Sequence, residues 1–334
     1  MHQAAFDRSD DNQAWARFWE FGQLSSLGGY GCPGTYGGAI RGRWREFFGG
    51  LPTDSRVLDI GTGNGAIPAI AVEVARERGL RLEIHGIDSA PIRPMQTVRW
   101  HRELIEPVRF HGRVAAESTP FPGGHFQALS SQFAFEYTDM DATARELGRL
   151  AAPGAGLMLV IHHPESAIVA AASPKRLHAR LVLDDTRFFD AARALLEYVA
   201  DAHAAQRPLT GDPEAERRRR AFNLEAKRVA AVAAAAEHPD LLQWVLAGFR
   251  AAWRTLTAGH ADEALRALDE GREGVRACRA RLDELVGVSL DRPALEAALA
   301  GLESAGFAVA SPELFTTGNG ELLGWLVTAR RRGG

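Results

Sequence analysis

The sequence predicts an α/β protein. Its core is a doubly wound, mostly parallel sheet with a C-terminal antiparallel hairpin, carrying an all-helical insertion after strand five and an N-terminal helical lid. Three observations predict this. Short β-branched or apolar runs alternate with amphipathic stretches from Arg56 to His163, a glycine-rich turn follows the first run, and strand-like texture returns at the C-terminal end after a long, purely helical interval.

The elements follow in order. Residues 1–51 hold two helical stretches, "DNQAWARFWEFGQL" and "YGGAIRGRWREFFGGL", joined by "GGYGCPGTYGG", whose glycines make a flexible joint. That joint suits a lid. The core occupies 52–164 and 291–334, with strands expected at "RVLDI", "LEIHGID", "VRFHGRV", "QALSSQF" and "GLMLVIHH". Residues 165–290 carry apolar positions at three- and four-residue spacing and are rich in Ala, Leu, Arg and Glu, so they read as helices grafted into the core. "RPALEAALAGLESAGF" is then one more helix with a glycine stop, and "AVASPELF" and "ELLGWLVTARR" are two final strands.

Composition excludes several classes. A chain of 334 residues that is 46% hydrophobic can bury a large core. The net charge of −3 opposes general nucleic-acid affinity, because neutralising phosphates calls for excess Lys and Arg. No apolar run approaches the ~20 residues of a membrane span, and the N-terminal stretch has no basic region followed by an apolar one, so a cytoplasmic location is expected. Cys32 and Cys278 are too few for a disulfide framework or a cysteine metal site, and no metal is expected. "ERRRRAF" at Glu216–Phe222 lies among Glu214, Glu216 and Glu225, which makes it a salt-bridged helix face rather than an anion site.

The turn "GTGNGA" carries the chemistry. Gly61, Gly63 and Gly65 lack Cβ atoms, so the chain can bend sharply at the strand tip and a ligand can lie against the main chain at Thr62 and the following helix N-terminus. The pattern also satisfies the looser dinucleotide motif, so an NAD-dependent oxidoreductase stays open. Asp59 weighs against it: a carboxylate there opposes a pyrophosphate but attracts the ammonium of a cationic amino-acid ligand. Asp88, at the tip of the next strand and followed by Ser89, can accept hydrogen bonds from both ribose hydroxyls.

"VLDIGTGNG" resembles the first motif of class I, Rossmann-like S-adenosylmethionine-dependent methyltransferases. The likeness continues through "GID" at Gly86–Asp88, "AAESTPFPGGHFQALSSQFAFEY", "ELGRLAAPGAGLMLVIHH" and the terminal hairpin, in the order the family requires. It covers roughly 56–163 and 294–331, leaving the insertion and the N-terminal segment outside. The resemblance implies S-adenosylmethionine held by Asp59, Gly61, Thr62, Gly63, Gly65, Asp88, Ser89, Ala116, Glu117 and Gln132. Ala115 and Gln127 stand where many members carry acids, and Glu117 is assigned the adenine amine in their stead.

Methyl transfer from a sulfonium is an in-line displacement that needs chiefly positioning, plus a base if the acceptor is an alcohol or a protonated amine. Strand tips face the crevice, which nominates Ser131, Gln132, Glu136 and Tyr137 after strand four and His162 and His163 after strand five. The histidines are the base candidates because imidazole titrates near neutral pH, with Tyr137 beside them. Tyr30, Tyr36 and Glu136 are assigned to the lid and acceptor side. Trp15 and Trp19 are expected to pack the tail helices, and Phe188, Phe189, Trp244, Phe249 and Trp253 to form either acceptor-pocket walls or the insertion's own core. The absence of an N/D-P-P-Y/F turn in "SSQFAFEY" argues against base methylation, and two cysteines cannot serve a soft metalloid. The expected function is methylation of an O or N atom of a small metabolite. Alternatives are a peptide or natural-product-precursor methyltransferase whose insertion holds the substrate, an NAD-dependent oxidoreductase, and a non-catalytic cofactor-binding module. A homodimer through the insertion is the partner candidate.

Overall fold

Period-two burial on both faces of the strands builds the core. Val57, Ala128, Met158 and Val160 enter one apolar cluster, while Leu58, Leu129, Leu157 and Leu159, one residue along in each strand, enter the other. The computed structural model of the chain describes residues 8–26 and 34–333, with side chains from residue 13 onward; Tyr30 and Cys32 lie outside the described residues. The elements are α1 (Arg8–Glu20), α2 (Gly38–Gly49), β1 (Arg56–Ile60), α3 (Ala66–Arg78), β2 (Glu83–Asp88), the one-turn helices α4 (Pro94–Thr97) and α5 (Arg102–Ile105), β3 (Arg109–Gly112), β4 (Phe126–Gln132), α6 (Met140–Leu150) and β5 (Ala151–Ile161). Five helices follow: α7 (Ala167–Arg180), α8 (Phe188–Ala204), α9 (Pro213–Ala235), α10 (Asp240–Thr257) and α11 (Ala261–Val288). The chain then gives α12 (Arg292–Ser304), β6 (Phe307–Val309), β7 (Glu313–Thr316) and β8 (Leu322–Arg331).

The sheet runs β3-β2-β1-β4-β5-β8-β6, with β7 also on β8. β1 to β5 are parallel, and β8 is antiparallel to β5, β6 and β7. Helices α2 and α3 cover one face and α6 and α12 the other, so the fold is a Rossmann-like α/β sandwich. Chain order reverses between β1 and β4, which opens a crevice at their carboxyl ends.

Three expectations need correction. The segment 308–315 is not one strand: it breaks into β6 and β7 around Pro312, which cannot donate to a ladder, so three strands end the sheet. Residues 38–49 are not lid. Trp44 and Phe48 of α2 are fully buried among Ile67, Ile70 and Val160, so α2 belongs to the helical layer, while α1 lies over the glycine turn. The helical segment also forms a narrower compact unit than 165–290, namely Ala171–Asp283, because the first turn of α7 and the last of α11 belong to the sheet unit. There Leu290 N donates to His162 O (3.0 Å) and Trp325 Nε1 donates to Leu290 O (2.7 Å).

The helical unit has its own core. Phe188 and Phe189 are buried in it, and Trp244, Phe249 and Trp253 pack against it, with Phe222 and Phe249 stacked at 3.9 Å. These aromatics form an internal core, one of the two roles expected of them.

Candidate cofactor and acceptor site

The crevice holds a cavity of about 230 Å³ at the tips of β1, β2 and β4. The turn after β1 explains its shape. Gly61, Gly63 and Gly65 take φ of +63°, +52° and +92°, a region where a Cβ is strained. The space is closed to side chains as well: a Cβ on Gly61 would lie 2.2 Å from Ala134 Cβ, one on Gly63 2.3 Å from Trp19 Cζ2, and one on Gly65 2.6 Å from Phe110 Cζ. Gly61 and Thr62 line the cavity. Gly63 and Gly65 instead let α1 and β3 close against the turn. Asn64 secures α1 by donating from Nδ2 to Trp19 O and Gln23 O, both at 2.8 Å.

Four carboxylates line this space, Asp59, Asp88, Glu117 and Glu284, and the first two stand at strand tips. Asp59, at the tip of β1, accepts from Ser130 Oγ at 2.7 Å on the neighbouring β4. Burial pushes its carboxyl up from an ordinary 3.8 to about 7, against the pull of the Ser130 hydroxyl. Asp88, at the tip of β2, accepts Gly63 N at 2.8 Å and Ala90 N at 2.9 Å, one on each oxygen, and thereby ties the turn to its neighbouring strand. Burial pushes it up to about 6 against those two backbone bonds.

The remaining nominated residues divide. Ser89, Ala116, Glu117 and Gln132 line the cavity with Ala115 and Val114. Glu117 Oε1 also accepts Asp139 N (2.9 Å), the cap residue of α6. Ser131 is withdrawn, its hydroxyl donating to Ile60 O at 3.1 Å. Gln132 Oε1 accepts the indole N–H of Trp44 at 2.6 Å, while its buried Nε2 has no partner among the described residues.

Trp15, Trp19, Tyr36, Phe133 and Tyr137 also line the cavity. Trp15 and Trp19 were expected to pack the tail; they do so, stacked at 6.0 Å, and also line the cavity. The Tyr36 hydroxyl meets Ser26 Oγ at 2.8 Å, and burial pushes the phenol up to about 12. Phe133 holds φ +55°, an uncommon backbone for an aromatic residue, with its N–H donating to Val160 O at 2.7 Å.

Of the three catalytic candidates, His162, His163 and Tyr137, only Tyr137 lines the cavity, so neither histidine nominated as the base does. His162 lies behind Phe133, the rings stacked at 4.1 Å, and its ring centroid is 6.1 Å from that of Tyr137. Glu136 is buried, and its Oε1 takes both His162 N (2.8 Å) and His162 Nδ1 (2.7 Å). With the carboxylate accepting at Nδ1, a neutral imidazole carries its proton there and presents Nε2 as an acceptor. His163 goes to the other sheet face, where it packs on Trp325 at 4.9 Å and its Nδ1 accepts Glu165 N at 3.0 Å, so it does not join this group.

Sequence reasoning missed Ser130, Ser26, Phe133, Trp44 and Glu284. Ser130 shares the strand alternation of Gln132 and was within reach. Trp44 and Glu284 had no local signal, since each meets its partner across a long sequence separation: Trp44 bonds Gln132, and Glu284 Oε2 accepts Trp15 Nε1 at 3.0 Å.

No family model matches the chain, and no curated protein does. Among solved structures it is similar to the S-adenosylmethionine dependent methyltransferase from Mesorhizobium loti, at 14% identity and TM-score 0.42, covering 88% of this chain and 99% of that one. It is also similar to Haemonchus contortus phosphoethanolamine N-methyltransferase 2 in complex with S-adenosyl-L-methionine, at 16% identity and TM-score 0.36, covering 98% of this chain and 59% of that one. A third similar structure is the CMeT domain of the citrinin polyketide synthase, at 17% identity and TM-score 0.31, covering 37% of this chain. The chain spans 34% of that last structure, and so less than two thirds of it, as of the Haemonchus contortus protein.

Proposed function

We propose that the chain is an S-adenosylmethionine-dependent methyltransferase that methylates an O or N atom of a small-molecule acceptor. One observation carries the reading: a buried carboxylate, Asp59, stands in the cavity wall at the strand tip immediately before the glycine turn. A dinucleotide would bring its pyrophosphate to such a turn and meet that charge unfavourably, whereas an amino-acid ammonium would be attracted.

The rest of the wall fits the same group. Asp88 retains lone pairs for ribose hydroxyls beyond its two backbone bonds, and the loop Ala115–Glu117 offers the adenine an apolar edge and a carboxylate. Gln132 Nε2 is a buried donor without an acceptor among the described residues, so the site contains a polar atom that a ligand oxygen would satisfy. When bound, the cofactor supplies an electrophilic methyl group on a sulfonium.

The chain's own contribution is chiefly positioning. Phe133, Tyr36 and Tyr137 bring aromatic rings to the cavity lining, which would exclude water and orient the acceptor. Tyr137 lines the cavity with its ring 6.1 Å from that of His162, and a neutral His162 held by Glu136 carries a proton on Nδ1 and can accept another on Nε2.

Calorimetric titration with S-adenosylmethionine and with NAD tests the cofactor half of the reading. Binding of the first and not the second is expected, and the reverse refutes it. Incubation with acceptor panels, read by mass gain of one methyl group, tests the transfer half and separates an enzyme from a binding module.

A further inference from the structure

The Trp44–Gln132 pair fixes which way an amide faces. An indole Nε1 is only ever a donor, so the Gln132 atom 2.6 Å from it must be the carbonyl oxygen, and the amide nitrogen must point the other way. Trp44 itself has no freedom. It is fully buried and stacked on Phe48 at 5.7 Å. Gln132 is only 6% exposed, lines the cavity, and leaves Nε2 without a partner among the described residues. Its donors are therefore held in one direction and unused by the fold.

What they face follows from the strand register. Asp59 pairs with Ser130 and Ile60 with Ser131 on the parallel strands β1 and β4, and Gln132 is the next residue on β4. Residues 130 and 132 share a face, and Ser130 is the residue whose hydroxyl holds Asp59. An acid and an amide donor thus share a face at neighbouring strand tips, Gln132 lying two residues beyond the partner of Asp59. Their complement is a cation with an adjacent anionic oxygen, as in an α-ammonium carboxylate.

Resting on the cofactor reading above, we propose that Gln132 binds the methionyl carboxylate of S-adenosylmethionine while Asp59 takes its ammonium, and that Trp44 is the positioning residue that keeps the Gln132 donors turned toward that carboxylate. Trp44 touches no ligand. It prevents the amide flip that would present a carbonyl oxygen to an anion.

The test is calorimetric affinity of the full chain for S-adenosylmethionine and for its decarboxylated analogue, which lacks only the carboxylate. Gln132→Glu keeps the shape and can still accept the Trp44 N–H, but it replaces the donor with a charge. It should weaken S-adenosylmethionine by about tenfold to a hundredfold, the range for a hydrogen bond to a charged group. The decarboxylated ligand should bind this variant as tightly as the wild type, or more tightly. Trp44→Phe keeps the ring and loses the N–H, so it should reduce the preference for the carboxylate-bearing ligand and leave the other ligand unmoved. Equal weakening of both ligands in these variants would assign the pair a packing role and overturn the inference, as would a wild-type chain that binds the two ligands equally. A wild-type chain that binds neither ligand would instead overturn the cofactor reading on which the inference rests.

Discussion

Asp59→Asn separates the two consequences of burying that carboxylate. Its pKa rises from 3.8 to about 7 because burial penalises the ionised form, an interval worth about 4 kcal/mol at 1.36 kcal/mol per pH unit. The sign follows from linkage. A group whose folded pKa is raised lends stability that is present below the unfolded pKa and disappears as pH climbs through the folded one. The ligand-free wild type should therefore lose up to about 4 kcal/mol relative to Asp59→Asn between about pH 4 and about pH 8, measured as the difference in urea unfolding free energy. Cofactor affinity should move the opposite way. If the ligand ammonium needs an ionised partner, wild-type affinity rises about tenfold per pH unit from about pH 5.5 to about pH 7 and then levels, while the ligand's own amine, titrating near 7.7–8.0, stays charged. Asp59→Asn should lose that slope and bind more weakly by about 3 kcal/mol or more near neutral pH, the cost of leaving one buried charge unpartnered. Calorimetry across the pH series reads both effects. A variant that binds S-adenosylmethionine as tightly as wild type, or with the same pH slope, would show that Asp59 does not hold the ammonium.

Three further outcomes are expected. Asp88→Ala removes the anchor between Gly63 and Ala90 as well as the ribose contact; it should lower both unfolding free energy and cofactor affinity, the latter by about 1.5–3 kcal/mol, and unchanged affinity by calorimetry would remove it from the ribose. His162→Gln should leave cofactor affinity intact and lower turnover by roughly 10²–10⁴ if the Glu136–His162 pair relays the acceptor's proton, whereas wild-type turnover would leave positioning as the whole of the mechanism. Phe188→Ala, cut into the core of the helical unit, should destabilise that unit by about 3–5 kcal/mol in denaturant while calorimetric cofactor affinity stays within error; a parallel loss of affinity would refute a cofactor site confined to the sheet unit.

Much of the sheet was legible because its signals are local. A buried parallel strand is a short apolar run, and "RVLDI", "LEIHGID" and "QALSSQF" each fell within a residue or so of an observed strand. The glycine turn was equally legible, since three positive φ angles close together call for glycine. What escaped depended on side-chain direction and on distant partners. His162 and His163 are neighbours in sequence but enter opposite faces of the sheet, so a rule that sends strand-tip residues to the crevice could not tell which of them would be carried away to Trp325. Helix α2 read as tail because its amphipathic pattern does not say what covers it; Trp44 meets Gln132 only once the fold is complete. Tyr36 lines the cavity as a buried phenol against Ser26, whereas Glu136, assigned to the acceptor side, is not among the lining residues and instead partners His162.

Buried acids elsewhere in the molecule show that the cavity's electrostatics are not a habit of the fold. Glu146 is also buried, and burial pushes its carboxyl up, yet the Arg149 guanidinium and the Thr119 hydroxyl and N–H more than offset that and hold it below its ordinary range. Asp59 and Asp88 receive hydrogen bonds from neutral groups alone, and among the described residues that line the cavity none is Lys or Arg. Within one fold, then, a structural carboxylate is given a cation, and the two at the strand tips are left raised to about 7 and about 6. Such raised acids cost stability, as do an unpartnered amide donor at Gln132 and a positive φ at Phe133, and all four converge on the same crevice. A ligand bearing positive charge beside a carboxylate would relieve the Asp59 and Gln132 terms together and draw the Asp59 pKa down as it binds. Proton release on binding at about pH 6.5, read from the dependence of the calorimetric heat on buffer ionisation enthalpy, is therefore expected to reach about three-quarters of a proton in the wild type and to fall in Asp59→Asn; equal release from both would mean that the cation is neutralised elsewhere in the site.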